Sequence, residues 1–195
     1  IVSNPTAAEG NDSGKIINVV YDDSESMFDH NETRWCQAKY ALEVFAAMLG
    51  NNDVMNVYCM NRDDIVTIQG RDSNRVNTIH QMTSKYGWTP FDSISRAGDS
   101  LLNDQSGREK WLVILTDGEF YNVNSNSGKT PKESVQNTIY YYSDRGIKTV
   151  YLALGSDAAE MQNNPSRNAY AYKAANTSGI LSTVTSAANQ IFEHQ

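Results

Sequence analysis

Three oxygen-bearing side chains stand at alternate positions in the segment DDSESM, residues 22–27. Asp22, Ser24 and Ser26 follow the apolar run KIINVV, where a buried strand would end. Asp and Ser are common in turns, so a simple turn is one explanation. A site for a hard divalent cation is the other, because such ions prefer oxygen ligands. The choice depends on the elements that position these residues.

Two more segments carry oxygen donors in comparable positions. Thr89 opens a predicted helix in GWTPFD, and Asp117 follows the apolar run WLVIL. Each has an ordinary structural explanation when it is taken singly. Thr89 is a good helix N-cap, and Asp117 with Gly118 is a common turn pair. Their combination with the first segment favours a shared site.

The alternation of β-rich and helical segments predicts how these residues are placed. Strands are predicted at 15–21, 54–60, 65–69, 110–116 and 148–154, with a possible last strand at 179–183, and helices at 34–49, 74–82, 90–102, 131–145, 169–175 and 185–194. The third strand follows the second after four residues, so it should pair antiparallel with it as an edge strand. The remaining pattern predicts an α/β fold: a doubly wound, mostly parallel sheet with helices on both faces.

Ligands of such sheets bind outside the carboxyl ends of the strands. Asp22, Ser24, Ser26, Thr89 and Asp117 could therefore converge at one rim, although they come from three distant segments. Two carboxylates and three hydroxyls would supply most of a six-oxygen shell for Mg²⁺, with Mn²⁺ or Ca²⁺ as alternatives. Because the carboxylates only just balance the ion, it would still attract a carboxylate of a partner protein.

The three segments resemble the metal-ion-dependent adhesion site (MIDAS) of von Willebrand factor A (VWA) domains. They are DDSESM at 22–27, GWTP at 87–90 and LTDGE at 115–119, and the five fixed positions of the motif are matched in order. The resemblance extends from about residue 15 to the C-terminus. It implies a Rossmann-like doubly wound sheet with one antiparallel edge strand, and binding of proteins or matrix rather than catalysis.

The resemblance also implies a role for each matched residue. Ser24, Ser26 and Thr89 would contact the metal directly. Asp22 and Asp117 would act mainly through water. A carboxylate of the partner would then complete the coordination of the cation.

The sequence departs from the resembled pattern at Asp23, Glu25 and Trp88, where small residues are common. We expect the two acidic residues to point away from the metal; facing the ligand, they would repel an acidic partner. Trp88 has two explanations. It either packs onto the domain, as most tryptophans do, or forms an apolar ligand-binding rim with Phe120 and Tyr121.

Composition narrows the classes of function. The 195 residues are 39% hydrophobic and 20% charged, which is typical of one soluble globular domain. The net charge of −7 and the lack of a basic block argue against nucleic acid or an anionic membrane as partner. The sequence contains no Gly-x-Ser-x-Gly elbow and no Gly-rich phosphate loop, which argues against an enzyme.

Residues 1–14 are small and polar, which indicates a leader or linker, and we expect 15–195 to form the VWA-like domain that the resemblance implies. Because the chain starts at Ile1, we expect it to be part of a longer protein. The favoured interpretation is a metal-dependent adhesion module, monomeric and without direct membrane contact, in a larger cell-surface or secreted protein, such as a bacterial surface protein. The alternatives are an intracellular adaptor that works with an ATPase and, less favoured, a Mg²⁺-dependent hydrolase.

The two cysteines match no zinc pattern and no disulfide framework. Cys36 falls in the first turn of the first predicted helix, and Cys59 near the carboxyl end of the second predicted strand. Both positions belong to the same rim, so we expect the two thiols to lie near each other. We predict free thiols, with one disulfide as the alternative.

Overall fold

The computed structural model describes residues 13–28, 33–84, 92–118 and 131–192. Six strands form one sheet: β1 (Lys15–Tyr21), β2 (Val54–Cys59), β3 (Ile65–Gln69), β4 (Glu109–Thr116), β5 (Lys148–Leu154) and β6 (Ala169–Ala174). Their order is β3-β2-β1-β4-β5-β6. The edge strand β3 pairs antiparallel with β2, and the other strand pairings are parallel. The predicted fold class and the antiparallel edge strand are confirmed.

Helices cover both faces of this sheet. They are α1 (Thr33–Met48), α2 (Arg75–His80), α3 (Asp92–Leu102), α4 (Pro131–Ser143) and α5 (Thr177–Phe192). Helices α1 and α5 lie on one face, with α2 packed against α1, and helices α3 and α4 lie on the other. No helix in the described ranges is long and apolar enough to cross a membrane.

The central strands are buried on both sides, which explains their continuous apolar runs. In β1, Ile17 and Val19 pack into the core beneath α1 and α5, whereas Val20 packs into the core beneath α3 and α4. Side chains of a strand alternate between the two faces of its sheet, so a strand covered on both faces needs apolar residues at successive positions. This burial fixes the register that positions the ends of β1 and β4.

The predicted helix at 169–175 is wrong, because these residues form strand β6. The segment NAYAYKA alternates Ala with Tyr at a period of two, and it pairs in parallel with β5. The alanines favour a helix intrinsically, but the long-range pairing decides. Tyr170 stacks on Trp111, with ring centroids 6.3 Å apart.

The predicted strand at 179–183 is also wrong, because these residues belong to α5. Asn176 Oδ1 accepts a hydrogen bond from the Gly179 N–H at 3.0 Å, as a helix N-cap does. Ile180 and Val184, one helical turn apart, are both buried. The β-branched residues suggested a strand, but their spacing on one helix face prevails, and the predicted closing helix continues from them.

The predicted closing helix at 185–194 begins eight residues after the start of α5, and positions 193 and 194 lie outside the described residues. The other predicted elements agree with the structure to within two residues at each end, apart from positions 90 and 91, which also lie outside the described residues.

A neutral polar network ties α3 to the centre of the sheet. Asn18 is fully buried in β1. Its Nδ2 donates to the carbonyl oxygen of Ala97 in α3 at 3.0 Å, and its Oδ1 accepts from Nδ2 of Asn56 at 2.9 Å. Asn56 Oδ1 accepts from the hydroxyl of Thr67 at 2.8 Å. The network therefore runs from α3 through β1 and β2 to β3.

Close packing fixes α3 against α4 as well. The ring of Tyr142 in α4 occupies the space that a Cβ atom on Gly98 of α3 would take. The Tyr142 hydroxyl donates to Asp99 Oδ1 at 2.8 Å. A side chain larger than hydrogen at Gly98 would push the two helices apart.

Candidate metal-binding rim of the sheet

The candidate site lies where the order of the strands reverses. β1 leads to β2 and β3 on one side, whereas β4, β5 and β6 follow on the other. Tyr21 of β1 pairs with Leu115 of β4, and the Asp22 N–H extends the ladder by donating to the Leu115 carbonyl oxygen at 3.0 Å. Asp117 comes two residues after Leu115. Both carboxylates thus lie at the switch point, where open α/β sheets bind ligands.

The carboxylate of Asp22 is fully buried and held at both oxygens. Oδ1 accepts from the Ser24 N–H at 2.9 Å, and Oδ2 accepts from the Thr116 hydroxyl at 2.6 Å. Thr116 Oγ1 in turn accepts from the Gly118 N–H at 3.0 Å. The first and third segments of the motif are therefore joined through Thr116.

The serine hydroxyls of the first segment are close together. Ser24 Oγ and Ser26 Oγ lie 3.2 Å apart, within hydrogen-bond distance. A short 3-10 turn over Glu25–Met27 brings them there, with the Met27 N–H donating to the Ser24 carbonyl oxygen at 3.0 Å. Met27 is fully buried and anchors the turn in the core.

Asp117 is paired with a buried arginine from α1. Nη1 of Arg34 lies 3.2 Å from Oδ2 of Asp117, and the two side chains are 8% and 0% exposed. The guanidinium lies against Gly155, where a Cβ atom would be 2.7 Å from the Arg34 Nε. Gly155 thus leaves the space that the arginine fills.

Buried negative charge dominates the electrostatics of the rim. Burial, and then the neighbouring charge of Asp117, raise the pKa of Asp22 to about 7, although hydrogen bonds from Ser24 and Thr116 act in the opposite direction. Burial, and then the charges of both aspartates, also raise the pKa of the Tyr151 hydroxyl. A cation near these carboxylates would offset their repulsion.

Asp23 is buried beside the site but is held by a different element. Its Oδ1 accepts from the backbone N–H and from Nδ2 of Asn61, at 2.9 and 2.8 Å, and its Oδ2 has no hydrogen-bond partner among the described residues. Asn61 belongs to the turn after β2. Glu25, the other acidic residue added to the motif, is exposed.

The structure brings four of the five predicted metal-binding residues to one rim: Asp22, Ser24, Ser26 and Asp117. Thr89 lies outside the described residues. So do Trp88, Phe120 and Tyr121, the residues proposed to surround the ligand. Their roles stay predictions.

The donor set fits a hard divalent cation. Within the described ranges no three His, Cys, Asp or Glu side chains cluster as metal ligands would, so a cation at this rim would use hydroxyl and carboxylate oxygens together. Mg²⁺ is bound in this way, by one or two carboxylates with neutral oxygens and water. The raised pKa of Asp22 beside a second carboxylate is the electrostatic condition that a bound cation relieves.

Sequence reasoning missed Thr116 and Arg34. Thr116 looks like the last residue of a strand, and nothing local shows that its hydroxyl reaches Asp22. Arg34 does carry a signal, because a cation in the first turn of a helix is unfavourable to the helix dipole. The structure shows that its guanidinium pairs with the carboxylate of Asp117.

Both cysteines are free thiols, as predicted. Cys36 is exposed in the first turn of α1, and Cys59 is buried as the last residue of β2. Burial, and then the charge of Asp23, raise the pKa of Cys59 to about 12. Their closeness to each other stays a prediction.

No protein-family model matches the sequence, and no curated protein matches it either. Solved structures match its fold at low sequence identity. The pilus adhesin SpaC from Lactobacillus rhamnosus GG has a TM-score of 0.67 at 15% identity, over 92% of this chain and 31% of SpaC. The SpRpn10 VWA domain has a TM-score of 0.66 at 13% identity, over 93% of this chain and 99% of that one.

A third structure is proximal thread matrix protein 1 from the mussel byssus, solved with a zinc-occupied MIDAS motif. Its TM-score is 0.63 at 14% identity, over 93% of this chain and 48% of the byssus protein. The chain thus spans about a third of SpaC, about half of the byssus protein and nearly all of the SpRpn10 domain. These comparisons and the strand order show that the chain has the VWA fold.

Proposed function

We propose that this chain is a protein-binding module that holds a divalent cation at the carboxyl rim of its sheet. The observation that carries the proposal is the convergence of two fully buried carboxylates, Asp22 and Asp117, with the hydroxyls of Ser24 and Ser26 at the switch point. VWA-fold neighbours that include an adhesin, and a byssus protein with zinc in its MIDAS, support it.

The hydroxyls of Ser24, Ser26 and Thr89 would hold the ion directly, and Asp22 and Asp117 would hold it mainly through water. Mg²⁺ is the proposed ion, with Mn²⁺ and Ca²⁺ as alternatives. When bound, the cation supplies an electrophilic position for a carboxylate oxygen of the partner. The chain's own contribution is orientation, because both oxygens of Asp22 are already fixed by hydrogen bonds.

The proposed role is binding rather than catalysis, by a monomeric module of a larger cell-surface or secreted protein. Trp88, Phe120 and Tyr121 would surround the metal with an apolar rim that excludes water from the partner's carboxylate. An intracellular adaptor that works with an ATPase would use the same site and is the alternative.

Calorimetric titration with Mg²⁺ or Mn²⁺ tests the site. The wild-type chain should bind one ion, and Asp22→Ala should abolish binding because it removes one of two charges that balance the cation. Asp144→Ala is the matched control, since Asp144 is an exposed carboxylate paired with Arg167, and it should keep the wild-type affinity. Equal affinity of the wild type and Asp22→Ala would contradict the assignment.

Selection of displayed peptides tests the partner class. Peptides captured in Mg²⁺ and released by EDTA should share an Asp, a Glu or a free C-terminal carboxylate. Trp88→Ala should then weaken the binding of a selected peptide by about 2 kcal/mol, as a hot-spot truncation does, without changing the melting temperature or the Mg²⁺ affinity. Peptides that stay bound in EDTA would contradict a metal-mediated contact.

A further inference from the structure

We infer that the guanidinium of Arg34 acts as a permanent counter-charge for Asp117 at this site, with two effects. It holds Asp117 in place when no metal is bound, and it weakens metal binding by competing for the same carboxylate. The first effect stands on the structure alone, and the second rests on the proposed metal site.

The pair between Arg34 and Asp117 is shielded from water. Arg34 Nη1 lies 3.2 Å from Asp117 Oδ2, and the side chains are 8% and 0% exposed. Removing one partner of a buried pair leaves an uncompensated charge and is strongly destabilising, whereas an exposed pair contributes little. The arginine therefore matters most when it is the cation next to Asp117.

The surroundings of the guanidinium are built to hold it. A Cβ atom on Gly155 would lie 2.7 Å from Nε of Arg34, 3.0 Å from Cζ and 3.1 Å from Nη2. Gly155 has a φ of +107°, which side chains rarely adopt, and its N–H donates to the Ala174 carbonyl oxygen at 2.8 Å. Three elements thus define the position of Arg34: α1, the loop after β4 and the end of β5.

The charges explain why the arginine would compete with a metal. The Asp22 N–H donates to the Leu115 carbonyl oxygen at 3.0 Å, Asp117 follows Leu115 by two residues, and both carboxylates are fully buried. A divalent cation among them would be near the guanidinium and would be repelled by it, since buried charges are screened little. The rim would therefore be stable without metal and would release the metal more readily than its oxygen ligands alone would allow.

The experiment compares Arg34→Met, which removes the charge but keeps an unbranched side chain, with Arg34→Lys, which keeps the charge. Arg167→Met is the matched control, because Arg167 forms an exposed pair with Asp144 at 2.8 Å. In EDTA, Arg34→Met should lower the melting temperature by about 10 °C and Arg167→Met by less than about 2 °C. Arg34→Lys should lie between wild type and Arg34→Met.

Magnesium should largely remove the loss of stability in Arg34→Met. In saturating Mg²⁺ the melting temperature of Arg34→Met should return most of the way to the wild-type value, because the metal replaces the missing cation. Calorimetry should show that Arg34→Met binds Mg²⁺ about tenfold more tightly than wild type, and Arg167→Met no differently from it.

Distinct results would overturn each part. If Arg34→Met melts like Arg167→Met in EDTA, Arg34 does not hold Asp117. If Arg34→Met binds Mg²⁺ no more tightly than wild type, the two cations do not compete. A wild-type chain that binds no divalent ion overturns the proposed metal site and the competition with it, while the comparison in EDTA still decides the pairing.

A double variant covers the case in which Arg34→Met does not fold. Arg34→Met with Asp117→Asn removes both charges, so in EDTA it should melt above Arg34→Met alone. A double variant that is no more stable than the single one would show that the loss comes from packing of the arginine, and would overturn its role as a counter-charge.

Discussion

The sheet buries polar groups in two regions that are built in opposite ways. At its centre, Asn18 links α3 to Asn56 through neutral hydrogen bonds. At its carboxyl rim, the carboxyl groups of Asp22 and Asp117 are fully buried. Burial, and then the charge of Asp117, raise the pKa of Asp22 to about 7. The central network is complete within the chain. At the proposed metal site, a bound cation would offset the repulsion between the two carboxylates. The central network needs no such addition and holds α3 to the sheet.

The largest effect is expected when a buried carboxylate, as found at the rim, is introduced into the central network. Asn18→Asp would turn the donor to the Ala97 carbonyl oxygen into a second acceptor and would bury a charge beside it. We expect a loss of about 3–5 kcal/mol in the free energy of unfolding, measured by urea denaturation at neutral pH. Asn77→Asp makes the same change at an exposed position of α2, and it should change stability by less than about 0.5 kcal/mol. Equal losses in the two variants would contradict the distinction.

Gly98→Ala tests whether the packing of α3 against α4, next to the central network, can be weakened without affecting the rim. Its new methyl group would overlap the ring of Tyr142, so we expect a loss of about 2 kcal/mol. Gly179→Ala is the control in a helix, since a Cβ atom there meets nothing closer than 3.6 Å; it should stabilise by up to about 1 kcal/mol. The Mg²⁺ affinity of both variants should equal that of wild type, and a weaker affinity in Gly98→Ala would show that the two regions are coupled.

Asp22→Asn tests whether metal binding at the rim can be removed without a loss of stability. An amide keeps the shape of the side chain and removes a buried charge next to Asp117, but its NH2 group replaces one of the two oxygens that accept hydrogen bonds. We expect the removal of the charge to outweigh the lost acceptor, with a gain of about 1 kcal/mol in stability in EDTA. Calorimetry should show that Mg²⁺ binding is lost. A variant that melts below the wild type in EDTA would mean that the carboxylate stabilises the metal-free fold.

Thiol labelling probes the rim without a change in stability. At pH 8 in native buffer, iodoacetamide should modify the exposed Cys36 but not Cys59, whose pKa is raised to about 12 by burial and by Asp23, so that its reactive thiolate is scarce. In urea both thiols should react, as mass spectrometry would show. Rapid native labelling of Cys59 would mean that the rim opens, and no labelling in urea without reductant would mean a disulfide.

Most of the fold could be predicted because burial on both sides of β1 and β4 leaves long apolar runs in the sequence. The elements of the C-terminal region could not be predicted, because the secondary structure that their residues favour locally differs from the one that their contacts with the rest of the fold impose. Strand β6 is rich in alanine, and the start of α5 is rich in β-branched residues. Pairing with β5 decides the first, and packing onto the core decides the second.

The position of the candidate residues could be predicted where they directly follow the end of a strand, as Asp117 also does; their role as metal ligands stays a prediction. Asp22, Ser24 and Ser26 form a local pattern that depends only on the end of one strand. Thr116 and Arg34 could not be assigned, because their contacts follow from the register of β1 against β4 and from the position of α1 over the sheet.

The contacts that build the rim join distant parts of the chain, and this has a consequence for folding kinetics. The Thr116 to Asp22 hydrogen bond spans 94 positions, and the Arg34 to Asp117 pair spans 83. Closing such long loops costs entropy before any contact compensates it, so we expect the rim to form after the main barrier to folding. Added Mg²⁺ should then slow unfolding and leave the refolding rate nearly unchanged, a difference that stopped-flow kinetics in urea would resolve.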